Sequence, residues 1–252
     1  MTPSDDVYTI KSNNPDFTIP GIDTSVGIQV PDSNLRPFQS LTSADGIYYN
    51  AALNVVAVVK DGADLSGIDF RGTSVMVQAN NVSISNSKFD ASSGLFAVKS
   101  YAGTANLVID RSAFDGLKLD KLYSDFVIGE GANTTITNSS FVNAPADAIY
   151  IESGTVAGNY IAGGGYQSGA HADAIWVGKT TGPVNITGNL IDWRASPDAA
   201  IDTNNAIRIT SENGDVSGVT VQDNVVLGGR YSILVTDLPT ESDSTVGSID
   251  NV

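Results

Sequence analysis

Cysteine is absent from this chain of 252 residues, and histidine occurs once, at position 171. The first absence excludes a disulfide framework, thiolate metal sites, iron–sulfur clusters and thiol chemistry. The second excludes a histidine-rich metal centre. Positive charge is scarce too: 13 Lys and Arg stand against 28 Asp and Glu, a net charge of −15. A field of that sign repels nucleic acid and anionic lipid and attracts cations. No apolar run is long enough to span a membrane. The opening residues MTPSDDVYTIKS lack a basic segment followed by an apolar one, so no Sec-type signal stands there. Helical periodicity is essentially missing, as are a Walker loop and a G-x-S-x-G nucleophile.

Gly, Asn, Ser, Thr and Asp are plentiful, and they separate short runs of Val, Ile and Phe. Six windows of eight residues align without gaps: VSISNSKF (82–89), LVIDRSAF (107–114), TTITNSSF (134–141), GTVAGNYI (154–161), VNITGNLI (184–191) and VTVQDNVV (219–226). ADLSGIDF (63–70) is a looser seventh. The third position is always Ile or Val, the eighth Phe, Ile or Val, and the sixth Ser or Asn. A second strand type alternates with the windows: FAV (96–98), DAIYI (147–151), DAIWV (173–177), NAIRI (205–209) and SILV (232–235). Register-locked repeats of this kind fit stacked coils better than a hairpin-built sandwich. One strand of each type per coil is expected, with the apolar positions inward and the Ser/Asn row at turns.

These repeats resemble those of right-handed parallel β-helix proteins, a group rich in polysaccharide lyases, hydrolases and uronan C5-epimerases. The resemblance covers about residues 63–250. It implies an all-β fold, a single right-handed parallel β-helix with an N-terminal cap. Residues 1–60 are expected to form that cap and the first coil, and residues 61–252 the coils. VGSIDNV (246–252) starts another coil, so further coils are expected beyond it. Acidity, lack of Cys and lack of a Sec signal also resemble bacterial proteins of type I secretion, which carry calcium-binding nonapeptides, although no such nonapeptide occurs here. The implied setting is bacterial and extracellular, with the chain a monomer or part of a longer protein.

Aligning the second strand type stacks chemistry-bearing residues about 4.8 Å apart. Asp173 falls over Asp147 and Asp125, and Trp176 falls over Tyr150 with Arg208 following. Tyr150, Trp176 and Arg208 alternate with inward residues and should point outward. Aromatic faces cover sugar rings, and a guanidinium binds a carboxylate with two parallel bonds. The Asp125–Asp147–Asp173 column has three readings: caps for the preceding turns, a calcium site, or a carboxylate pair for glycoside hydrolysis. His171 lies in a Gly-rich approach, GGGYQSGA, over Pro145 and Tyr123 and next to Thr203, with Asp173 placed to orient it.

The function implied is an extracellular carbohydrate-active protein on a uronate-containing polysaccharide, working by β-elimination or C5-epimerisation. His171 would be the base, Asp173 its partner, Tyr166 or Tyr150 a proton donor, and Arg208, Arg194, Arg230 or Ca2+ the neutraliser. Trp176, Tyr150, Arg194 and Arg230 would contact substrate. The β-helix epimerases carry an Asp-Pro-His cluster that this chain lacks, so none of their catalytic residues is transferred. The alternative is a non-catalytic glycan-binding, adhesive or structural module. Nucleic acid and membrane insertion are not expected.

Overall fold

A computed structural model describes residues 30–120, 125–194, 203–237 and 249–251. It is all-β and mostly parallel, its strands stacked in three sheets in a manner compatible with a β-helical solenoid. Among the described residues no helix is long and apolar enough to cross a membrane.

Each coil carries three strands rather than the two expected, because every eight-residue window is itself bent. In VSISNSKF the strand Ser83–Ser85 belongs to one sheet, the first, and Lys88–Asp90 to another, the second. The bend falls at the fifth position, which is left-handed in every window: Asn86 (φ 48°), Arg111 (45°), Asn138 (48°), Gly158 (63°), Gly188 (63°) and Asp223 (55°). The looser window bends in the same way at Gly67 (φ 67°) and keeps the register, Leu65 pairing with Ile84. Left-handed backbone is what Gly, Asn and Asp tolerate. The strand-like look of the whole window hid the corner.

The sixth position then points inward and is bonded between coils. Ser87, Ser112, Ser139, Asn159 and Asn189 are fully buried. Each side chain accepts the backbone N–H of its counterpart one coil earlier. Ser139 N–H reaches Asn159 Oδ1 at 2.9 Å, Asn159 N–H reaches Asn189 Oδ1 at 2.9 Å, and Asn189 N–H reaches Asn224 Oδ1 at 3.0 Å. Buried N–H groups at a sharp corner have no ladder partner of their own, so the side chain supplies one.

The apolar positions stack with the same period. Phe70, Phe89, Phe114 and Phe141 lie ring over ring at centroid spacings of 5.0, 4.5 and 4.5 Å. Later coils put Ile161 and Ile191 in that row. The space gained is filled by Trp193, fully buried, whose indole N–H donates to the Ala172 carbonyl at 2.9 Å. Its ring lies against Gly164, where an added Cβ would stand 2.1 Å from the ring. Trp193 thereby ties the second sheet to the loop that carries His171.

The third sheet carries the site. Its strands include Val98–Ser100, Val127–Gly129, Ile149–Ile151, Ile175–Val177, Asn205–Thr210 and Tyr231–Thr236. Val127, Ile149, Ile175 and Ile207 pair in register and face the core, all fully buried. At the start of this sheet Ile47–Asn50 runs antiparallel to Val55–Val58, which is the first strand of the parallel stack. VVAVV (55–59) therefore contributes as an extended segment, whereas YTIKS (8–12) lies outside the described residues. Near the other end Ile249–Asn251 pairs with the first-sheet strand Val219–Gln222.

Candidate functional site

Alternation along the third sheet turns one residue per coil outward. Register places Met76, Lys99, Ile128, Tyr150, Trp176 and Arg208 in that row. Tyr150 and Trp176 meet edge to face with centroids 4.9 Å apart, and the Arg208 guanidinium lies 5.1 Å from the Trp176 ring centre. The Trp176 indole N–H donates to Thr210 Oγ1 at 3.3 Å, which fixes the ring. The order expected from sequence alignment is present, but Tyr150 is only 5% exposed, its ring covered by its neighbours rather than open to solvent.

Beside the ladder runs a groove of about 490 Å³, lined by Lys99, Asp125, Ile128, Glu130, Tyr150, Glu152, Trp176, Lys179 and Asn213. Its charges are arranged in opposed pairs. Lys99 Nζ lies 2.6 Å from Glu130, and Lys179 Nζ lies 3.2 Å from Glu152 Oε1. The Tyr150 hydroxyl donates to the same Glu152 oxygen at 3.0 Å and accepts from Asn213 at 3.4 Å. Burial, aided by the Glu152 charge, pushes the Tyr150 phenol well above its ordinary value. At the end of the ladder Arg208 bridges Glu212 at 2.5 Å and Asp173 at 3.4 Å.

Behind the groove the Asp column acts as a ladder of its own. Asp147 Oδ1 accepts the Asp173 N–H at 2.6 Å, and Asp173 Oδ1 accepts the Asn205 N–H at 2.7 Å. Asp147 and Asp173 therefore each cap the start of the next coil's strand. Burial raises all three above the ordinary carboxylate range. Asp125 reaches about 7, raised by burial and Asp173 and lowered by Lys99. Asp147 is raised by burial and by both neighbouring carboxylates. Asp173 is raised by burial, against the lowering effect of Asn205 and Arg208. Among the described residues no group of three or more acidic or imidazole side chains is arranged to hold a metal ion. Asp147 and Asp173 each turn one oxygen to a backbone N–H group of the next coil.

The remaining expected site residues lie elsewhere. His171 is exposed and left-handed (φ 52°), in the turn that enters strand Ile175–Val177, and it does not line the groove. Ala172 rather than His171 pairs with Thr203, one residue out of step with the Ile175–Ile207 pairing that follows. Tyr166 is buried in the same turn, with Lys118 Nζ 5.9 Å from its ring centre. Arg194 is exposed beside the second sheet and holds Asp192 at 2.7 and 2.5 Å. Arg230 is exposed in the turn before strand Tyr231–Thr236, its backbone N–H bonded to the Asn204 carbonyl. Tyr150, Trp176, Arg208 and Asp173 are brought together, Tyr150 and Trp176 on the groove itself; His171, Tyr166, Arg194 and Arg230 do not line it.

Sequence reasoning missed Lys99, Glu130, Glu152, Lys179 and Asn213. A signal for two of them was present: Asp125 and Glu130 have the same spacing as Asp147 and Glu152, in DFVIGE and DAIYIE. The shared register puts both Glu residues at the same corner of successive coils. No family model, no characterised protein and no solved structure matches this chain. What fold and groove define is a class: a stacked-coil, all-β protein with an outward aromatic–guanidinium ladder.

Proposed function

We propose that the chain is a right-handed parallel β-helix, begun by a cap within residues 1–60, that serves outside the cell as a glycan-binding module. The hand follows from the strong preference for right-handed crossovers between parallel strands. The observation that carries the function is the Tyr150–Trp176–Arg208 ladder beside a groove long enough to span several coils. Such a surface offers apolar ring area together with hydrogen-bonding groups held in place by the sheet, as saccharide recognition requires. The test is a glycan array with the wild-type chain and Trp176→Ala. Binding that weakens by about tenfold in the variant, with its fold intact, supports the proposal. An array without any bound glycan refutes it.

One observation favours a second, catalytic reading on uronates by β-elimination or C5-epimerisation. The groove gathers a phenol (Tyr150) and two ammonium groups (Lys99 and Lys179), with Arg208 at the end of the ladder. Arg208 would neutralise the sugar carboxylate, the Asp125 carboxylate on the groove wall would take the C5 proton, and Tyr150 would give its own proton to the leaving oxygen or to the opposite face of C5. Incubation with a panel of polyuronides, followed by ultraviolet absorbance for unsaturated products and proton NMR for C5 configuration, tests it. Unchanged polymers across the panel refute catalysis while leaving binding in place.

A further inference from the structure

We infer that the groove selects an uncharged glycan and that Glu152 anchors it through a sugar hydroxyl. This rests on the glycan-binding reading above and specifies its ligand. Glu152 is only 2% exposed, yet it lies on the groove wall. Its Oε1 receives the Tyr150 hydroxyl and faces Lys179, at 3.0 and 3.2 Å. Its Oε2 is buried and has no hydrogen-bond partner. A carboxylate oxygen can only accept, so what completes it must be a donor. Leaving such an atom buried and unmade is unfavourable, so a ligand donor that turns the Glu152 side chain toward the groove gains a bond that the protein alone does not make.

The charges around Glu152 decide which donor fits. Lys99 faces Glu130, Lys179 faces Glu152, and Arg208 faces Glu212 and Asp173, so each cation at the site already meets a protein carboxylate. A uronate carboxylate would bring only acceptors and a like charge toward Glu152, Glu130 and Asp125. It would also approach a chain of net charge −15. A neutral sugar hydroxyl supplies the missing donor and adds no charge. The bond it forms to Glu152 is charge-assisted, and therefore stronger than one between neutral groups. Trp176, half-buried and held in place by Tyr150, provides the ring surface.

Isothermal titration of the full chain with three hexasaccharide sets tests this: neutral β-glucan and β-mannan, cationic chitosan, and anionic oligouronates. The variants are Glu152→Gln, of the same shape, and Glu152→Asp, which keeps the charge but withdraws it. Near-ultraviolet circular dichroism checks that each is folded, and either variant suffices if the other is not. The expected result is binding of a neutral oligosaccharide that is insensitive to added salt and weakened about tenfold by either substitution. Binding of oligouronates or chitosan in preference overturns the inference and leaves the glycan-binding reading standing. Neutral binding unchanged by both variants overturns the role of Glu152. No binding to any set overturns the inference and the reading beneath it together.

Discussion

Replacing Asp125 by Asn should stabilise the protein above neutrality and leave it unchanged in acid. Burial lifts the Asp125 carboxyl from the usual 3.8 to about 7. The folded chain therefore holds this proton more tightly than the unfolded chain does. Stability from the group is full below the unfolded value and is lost as pH rises from about 4 through about 7. A tenfold change in proton affinity is about 1.4 kcal/mol, so the ionised carboxylate costs the fold up to roughly 4 kcal/mol at pH 8. Asp125 is only partly buried, and residual solvation brings the expected gain to about 2 kcal/mol. Asn fits the column, since Asn205 continues it beyond Asp173. Urea denaturation followed by Trp fluorescence at pH 4.5 and 8 reads the difference, with the exposed Asp64→Asn as a control for net charge. A gain of equal size at both pH values, or one matched by the control, would refute the argument from buried ionisation.

The fold makes further predictions. Asn159→Ala orphans the buried Ser139 N–H and should cost about 2–3 kcal/mol in chemical denaturation, with Asn159→Ser recovering part of it, as Ser does in earlier coils. Arg111 is the one bulky side chain among the left-handed fifth positions, so Arg111→Asn should raise stability by about 1 kcal/mol; an unchanged midpoint would show that the backbone relaxes there. Gly164→Ala drives a methyl into the Trp193 ring and should lower stability by about 1–3 kcal/mol, with a shifted Trp emission as the local readout. Phe114→Ala removes the middle of the ring stack and should cost about 3–5 kcal/mol by the same denaturation assay.

The sequence by itself determined the coil repeat, the stacking order and the outward ladder. Each of these follows from periodicity: one residue in two faces the core, and an eight-residue window recurs in register, so Trp176 had to lie over Tyr150 and beside Arg208. The Asp column was legible for the same reason, but its bonds were not: three readings stood open, and the carboxylates of Asp147 and Asp173 reach N–H groups one coil away rather than in their own turns. Tertiary structure alone decided what periodicity does not encode. Position five bends because its φ is positive, which converts one apparent strand into two and adds a third sheet. His171 lies in the exposed turn before strand Ile175–Val177, away from the groove-lining residues, and its left-handed backbone is a local choice that residue type did not dictate. Glu130, Glu152, Lys179 and Asn213 come from corners, where spacing varies between coils and side chains meet only after the chain has turned. The unpartnered oxygen of Glu152, on which the proposed sugar specificity rests, is a property of that meeting and of no single residue.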